Sequence, residues 1–254
     1  MIFATYPSLA GRAVFVSGGA TGIGADIVRA FARSHAKVAF VDLQAEAGEA
    51  MAAEIAGTGE TALFFRCDVT DIEALRQTIA EAGAKLGPIA VLVNNAANDE
   101  RHKVSEVSPD YWDRTQNVNL RHHFFAAQAV HPQMRALGFG SIVNLSSIAW
   151  RAGAGEMPAY SAAKAGIVGL TRALARAFGD DNIRVNAIEP GAVMTDRQTR
   201  LWYKTPESVE AIVKRQLIKT TLIGEDVARM ALFLGADDSR MITKQSIAVD
   251  AGLR

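Results

Sequence analysis

The sequence predicts an α/β protein: a doubly wound parallel sheet of seven strands with helices on both faces. Three observations predict it. Short, continuous apolar runs recur at strand length, stretches of helical period separate them, and a glycine-rich turn joins the first run to the first helix. Consecutive apolar residues suit a strand buried on both faces, and strand–helix alternation is the signature of parallel strands joined by crossovers.

The seven runs are Ala13–Ser17, 37–41, Ala62–Arg66, Ile89–Asn94, 141–145, 184–188 and Ser246–Val249. After the first, residues 22–34 place Ile23, Ile27, Ala30 and Phe31 on one helical face. Residues 71–85 open on a capping Asp71 with Glu73 in the first turn, and the pattern ends at Gly87-Pro88. A long helix is expected over 109–137, bent at Pro132, and another from Pro158 to a stop at Gly179. The least regular stretch carries Arg197, Gln198, Trp202 and Tyr203 and reads as a lid over a site, at about 195–217. With no repeat, linker or low-complexity tract, residues 1–254 are expected to form a single domain.

Charge is balanced, with 27 basic and 27 acidic residues, so neither nucleic acid nor an anionic membrane surface is an expected partner. Cys67 is the sole cysteine, which excludes an internal disulfide and a cysteine-rich metal site; no metal is expected. The start, MIFATYPSLAGR, lacks the pattern of a secretion signal, and no apolar run is long enough to span a bilayer. The expected setting is soluble and cytoplasmic.

The turn after the first strand reads Ser17-Gly18-Gly19-Ala20-Thr21-Gly22-Ile23-Gly24. Glycines let the backbone turn sharply beside a ligand, and the N–H groups of the following helix face an anion. The spacing is GxxxGxG rather than GxGxxG, yet the requirement is the same: a phosphate between strand end and helix start. Asp42 follows the second strand, where a carboxylate accepts hydrogen bonds from a ribose and repels a 2′-phosphate, which favours NAD over NADP. Cys67-Asp68-Val69 and Asn94-Asn95-Ala96-Ala97 end the third and fourth strands at the same edge of the sheet.

Tyr160 and Lys164 lie four residues apart on a predicted helix and so share a face. An ammonium beside a phenol favours the phenolate and makes a general base. Tyr-x-x-x-Lys alone equally describes a surface helix. Ser147 ends the fifth strand region, Asn119 lies on the preceding long helix, and Pro190-Gly191 leads from the sixth strand to Val193 and Thr195. All of them fall at one edge of one sheet.

This ordered set, SGGATGIG, Asp68, NNAA, Asn119, Ser147, YSAAK and PGAVMT, resembles the short-chain dehydrogenase/reductase family along essentially the whole chain, with its Rossmann-like fold. The resemblance implies that Tyr160 is the acid/base, that Ser147 bonds the reacting oxygen, and that Lys164 lowers the tyrosine pKa and holds the nicotinamide ribose. Asn119 would position a proton-relaying water. Gly18, Thr21, Gly22, Ile23, Gly24, Asp42, Asp68, Val69, Asn95, Ala96, Tyr160, Lys164, Pro190, Gly191, Val193 and Thr195 would form the cofactor site, Asn94 reaching a ribose. Two positions depart from the family pattern: Ser17 replaces a threonine and keeps its hydroxyl, and Ala97 replaces a glycine beside the nicotinamide.

The mouth of this site is polar. Asn98, Arg101 and His102 follow the fourth strand, Trp150 follows Ser147, and Arg197, Gln198 and Trp202 lie in the lid. Directional polar groups beside aromatic faces suit a sugar, whereas an acyl or steroid pocket asks for aliphatic walls. The segments NAANDERHK, YWDRTQNVNLRH and VDAGLR are similar to bacterial NAD-dependent aldose 1-dehydrogenases of the D-xylose, L-arabinose, L-fucose and D-galactose types. That likeness implies oxidation of an aldose at C1 to an aldonolactone in sugar catabolism, by a homotetramer. Alternatives are a dehydrogenase or reductase of another secondary alcohol, polyol or 3-oxoacyl substrate, and a nucleotide-binding regulator without turnover.

Overall fold

A computed structural model describes residues 3–253; Met1, Ile2 and Arg254, at the ends of the expected 1–254 unit, lie outside them. In chain order the strands and helices are β1 (Ala13–Ser17), α1 (Gly22–Arg33), β2 (Lys37–Asp42), α2 (Ala45–Ala56), β3 (Ala62–Arg66), α3 (Ile72–Leu86), β4 (Ile89–Asn94), α4 (Pro109–Gln116), α5 (His122–Leu137), β5 (Gly140–Leu145), α6 (Ala149–Ala152), α7 (Pro158–Ala177), β6 (Ile183–Pro190), α8 (Asp196–Leu201), α9 (Pro206–Arg215), α10 (Gly224–Gly235) and β7 (Ser246–Val249). The seven strands form one parallel sheet in the order β3-β2-β1-β4-β5-β6-β7. Chain order reverses between β1 and β4, and a crevice opens at the carboxyl ends of the strands there.

The central strands β1, β4 and β5 bury both faces, whereas the edge strands β3 and β7 are only partly buried, and alternate residues feed opposite cores. Val14 and Val16 pack with Ile27, Phe31 and Val227, whereas Phe15 packs with Leu75, Ile79 and Val130 on the other side. The strand ends stay level: Ser17 pairs with Asn94, Asn94 with Asn144, and Leu145 with Ile188. That register brings the turns after β1, β4, β5 and β6 to one rim.

Several predicted boundaries shift. Strand β2 extends to include Asp42, β5 begins at Gly140, and β6 runs from Ile183 to Pro190 because Pro190 still pairs with Val249. The long helix expected over 109–137 is two α-helices joined by a π-helical turn, Asn117–Arg121. Its cause is local. The Asn119 side chain donates from Nδ2 to the carbonyl of Thr115 at 2.9 Å, taking the acceptor that a regular helix gives to a backbone N–H. Pro132, by contrast, lies inside α5 without ending it. The irregular 195–217 stretch holds two short helices, α8 and α9, each capped by a threonine hydroxyl, Thr195 and Thr205.

Candidate active site

The glycine turn shows why alanine would not serve there. Gly18 has φ +67°, and a Cβ on it would lie 2.8 Å from Cα of Ala96; a Cβ on Gly24 would lie 1.8 Å from the Gly18 carbonyl. The turn is therefore pressed against the loop after β4. Ser17 ties the two together, its hydroxyl accepting from the N–H groups of Asn95 (3.0 Å) and Ala96 (3.1 Å), while Asn95 Nδ2 donates to the Gly18 carbonyl at 2.8 Å. Helix α1 opens without a side-chain cap, since Thr21 accepts no bond from its first turn. Gly22 faces the Thr195 methyl, 3.5 Å from where its own Cβ would be, so the segment after β6 closes over the turn.

Asp42 reaches back to this turn. Its Oδ2 accepts from the Ala20 N–H and its Oδ1 from the Gln44 N–H, both at 3.1 Å, which fixes the carboxylate at the end of β2. Asp68 is exposed and accepts from the Thr70 amide and hydroxyl at 2.8 Å, with Val69 buried beside it. Gly191 lies where a Cβ would meet Cα of Asp250 at 2.8 Å; Val193 behind it is buried. An uncapped helix start, a close-packed glycine turn and an anchored ribose-height carboxylate fit a dinucleotide. The Asn94 side chain points the other way: it is fully buried and donates to Asn144 Oδ1 at 2.9 Å, so any contact with a ribose falls to its backbone.

Helix α7 delivers Tyr160 and Lys164 to the same rim. The Ser147 hydroxyl lies near enough to the Tyr160 phenol to favour its ionised form, and its Oγ accepts from the Ala149 N–H at 3.1 Å. Lys164 is buried with Nζ 5.4 Å from the Tyr160 ring centroid and donating to the Leu145 carbonyl at 2.7 Å. The electrostatics differ from the sequence expectation. Burial pushes the Tyr160 pKa up, the Asp99 carboxylate pushes it further, and the nearby Ser147 hydroxyl only partly offsets them. Burial also lowers Lys164 to about 7, against a smaller upward pull from Asp99. An ammonium this desolvated, and committed to a carbonyl, does not by itself lower the tyrosine pKa. A cationic ring bound beside the phenol would favour the phenolate.

Both ends of the Asn119 side chain are engaged, Nδ2 with Thr115 and Oδ1 with the Asn98 N–H at 2.9 Å. Asn119 thus braces the π turn against the β4 loop. Around the mouth, Arg197 donates to Asp99 (3.0 Å) and Asn98 (2.8 Å), and Gln198 also donates to Asp99. Arg101 stacks on Trp202, its guanidinium carbon 4.4 Å from the ring centroid, and Arg151 stacks on Trp150 at the same distance. The indole N–H groups of Trp150 and Trp202 are buried without a partner among the described residues. His102 is bracketed by the Tyr111 hydroxyl at 2.9 Å and the Ala159 N–H at 3.4 Å. Arg101 and His102 line an open cleft of about 600 Å³ to which Ser147, Tyr160 and Lys164 contribute nothing.

Asp99 is the residue that reading the sequence missed: it sits among six consecutive polar residues, and only the fold shows that it faces the lid and the Tyr160–Lys164 pair.

A family model described as enoyl-(acyl carrier protein) reductase matches residues 18–254. The chain belongs to the short-chain dehydrogenase/reductase family. This short-chain dehydrogenase/reductase is an oxidoreductase. It is 49% identical to the probable galactose dehydrogenase GalD of Rhizobium meliloti (strain 1021), over 98% of this chain and 97% of that one. It is 45% identical to D-xylose 1-dehydrogenase of Caulobacter vibrioides (strain NA1000 / CB15N), over the full length of both. Among solved structures it resembles a 3-oxoacyl-[acyl-carrier protein] reductase from Brucella melitensis ATCC 23457 with a TM-score of 0.92 and 33% identity, covering 100% of this chain and 96% of that one. No helix among the described residues is long and apolar enough to cross a membrane, and no group of three or more metal-ligating side chains occurs among them.

Proposed function

We propose that this protein oxidises an aldose at C1 to the aldonolactone with NAD, in sugar catabolism. One observation carries the reading: a serine hydroxyl and a buried phenol lie close together at the carboxyl rim of the sheet, with a buried lysine beside the phenol. Ser147 and Tyr160 converge on one oxygen, that of the anomeric hydroxyl. Tyr160 takes its proton as the C1 hydrogen leaves as hydride. Bound NAD would supply the hydride acceptor. Lys164 stands next to Tyr160 to pass the proton on, and Asn119 holds the π turn, whose Leu120 packs against Gly166 of the helix that carries Lys164.

Gly18, Thr21, Gly22, Ile23 and Gly24 would hold the pyrophosphate at the α1 N-terminus. Asp42 would take the adenosine ribose, and Asp68 and Val69 the adenine edge. Asn95 and Ala96 would form the floor under the nicotinamide, with Pro190, Gly191, Val193 and Thr195 along its other edge. A carboxylate at Asp42 repels a 2′-phosphate and favours NAD over NADP.

Sugar specificity draws on the polar mouth and on relatives named for galactose and D-xylose. The substrate side would be built from Asn98, Asp99, Trp150, Arg197, Gln198 and Trp202, with 195–217 as the lid. Arg101 and His102 hold the rim: one stacks on Trp202, the other joins the β4 loop to α7. A cytoplasmic homotetramer is the expected form. Ala162 and Ala165 are exposed on α7 and leave room for a partner helix, whereas Gly166 makes space for Leu120 of the same chain.

A substrate panel tests the reading, following reduced-cofactor absorbance with NAD. Turnover of D-galactose, D-xylose or L-arabinose is expected; turnover of hydroxyacyl thioesters or polyols with none on aldoses would overturn it.

A further inference from the structure

Two buried histidines open α5, and the chemistry above uses neither. His122 and His123 have no exposed surface, and their ring centroids lie 4.4 Å apart. His122 Nε2 lies 3.0 Å from the carbonyl oxygen of Ala96. A carbonyl only accepts, so Nε2 carries the proton, and the neutral ring leaves Nδ1 bare. His123, packed against it, meets Asn144 Oδ1 through Nδ1 at 3.2 Å, and Asn144 is held by Asn94 at 2.9 Å and by Thr171 at 3.0 Å. A chain of buried contacts thus runs from β4, β5 and α7 to the ring of His122.

What that ring holds is the loop pressed on the glycine turn. The N–H groups of Asn95 and Ala96 are taken by Ser17, and that of Asn98 by Asn119. These fasten the loop by its donors. The Ala96 carbonyl is the acceptor in the same stretch, and His122 is its side-chain partner. Ala97, where the family pattern has glycine, lies between the Ala96 and Asn98 anchors and is exposed.

We propose that His122 is a positioning residue for hydride transfer: by gripping the Ala96 carbonyl it sets the floor against which the nicotinamide half of the cofactor lies. The inference rests on the cofactor reading above. A loop displaced by about 1 Å beside a reacting ring costs on the order of 10²-fold in rate without removing any reacting group.

The test titrates NADH into the wild-type chain, His122→Leu and His122→Gln, recording affinity, emission of the bound dihydronicotinamide and melting temperature, with kcat and sugar KM alongside. In His122→Leu, NADH affinity should stay within about threefold because the adenosine contacts lie elsewhere, the emission change should fall by half or more, and kcat should drop roughly 10- to 100-fold with KM less affected. His122→Gln, whose amide N–H reaches about as far as Nε2, should restore both readings. Wild-type emission and kcat in folded His122→Leu would overturn the inference, as would a Gln variant as impaired as Leu at equal melting temperature. If the Leu variant does not fold, His122→Asn, with an amide too short to reach, is read by the same criteria. No NADH binding by the wild-type chain would overturn both the inference and the cofactor reading beneath it, whereas NADH binding without aldose turnover leaves the emission readings to decide this one.

Discussion

Lys164 stands beside the Tyr160 ring, 5.4 Å from Nζ to centroid, yet donates to the Leu145 carbonyl at 2.7 Å rather than to the phenol. Burial drives both side chains towards their uncharged forms, the phenol upward and the lysine down to about 7. Keeping this pair dry costs stability, and a cationic cofactor ring bound beside the phenol would favour the phenolate.

Tyr160→Phe should reduce turnover by about 10²- to 10⁴-fold, the range typical of a lost general base. Cofactor affinity, measured by NADH fluorescence titration, should stay within a few fold, since only the hydroxyl is removed. Near-normal kcat in this variant would mean that another group takes the proton.

Lys164→Met should abolish turnover and raise thermal stability, because a buried charge gives way to an apolar chain of similar length. Its pH dependence follows from the shift. Between about 7 and 10.5 the unfolded chain holds a proton that the folded one lacks, so wild-type stability rises with pH through that window. The advantage of Lys164→Met should accordingly be largest below about pH 7 and shrink towards pH 10. Melting curves across pH check this; an advantage that grows with pH would contradict it.

Asp99→Asn removes the anion that raises the Tyr160 pKa and loosens the grip on Arg197 and Gln198. The acid limb of the kcat profile should move to lower pH, because less alkali is needed to form the phenolate. Sugar KM should rise about three- to tenfold, in line with loss of a charge-assisted bond partly exposed to water. A limb that moves to higher pH would show that Asp99 assists the base.

Asp42→Ala should narrow the preference for NAD over NADP by about tenfold or more in kcat/KM, chiefly by admitting NADP. An unchanged ratio of the two kcat/KM values would count against Asp42 as the discriminating carboxylate.

Much of this was legible in the residues. Buried parallel strands announce themselves as apolar runs, and SGGATGIG, Ser147 and the helical YSAAK mark the segments that must meet at the rim. Three features were not. The π turn at Asn117–Arg121 keeps the surrounding helical pattern, and what breaks the ladder is a single side-chain bond from Asn119 to Thr115. Asp99 lies in a run of six polar residues, and only the fold turns it towards Arg197 and Gln198. The tyrosine–lysine spacing predicts a shared face, but it does not reveal that the Leu145 carbonyl claims the lysine.

The central claim, hydride removal from C1 of an aldose at the Ser147–Tyr160–Lys164 site, is tested most directly with D-galactose deuterated at C1. The account predicts stoichiometric transfer of deuterium into the reduced cofactor, formation of the galactonolactone, and loss of both in Tyr160→Phe. Reduced cofactor free of deuterium, or lactone formed equally well by Tyr160→Phe, would contradict it.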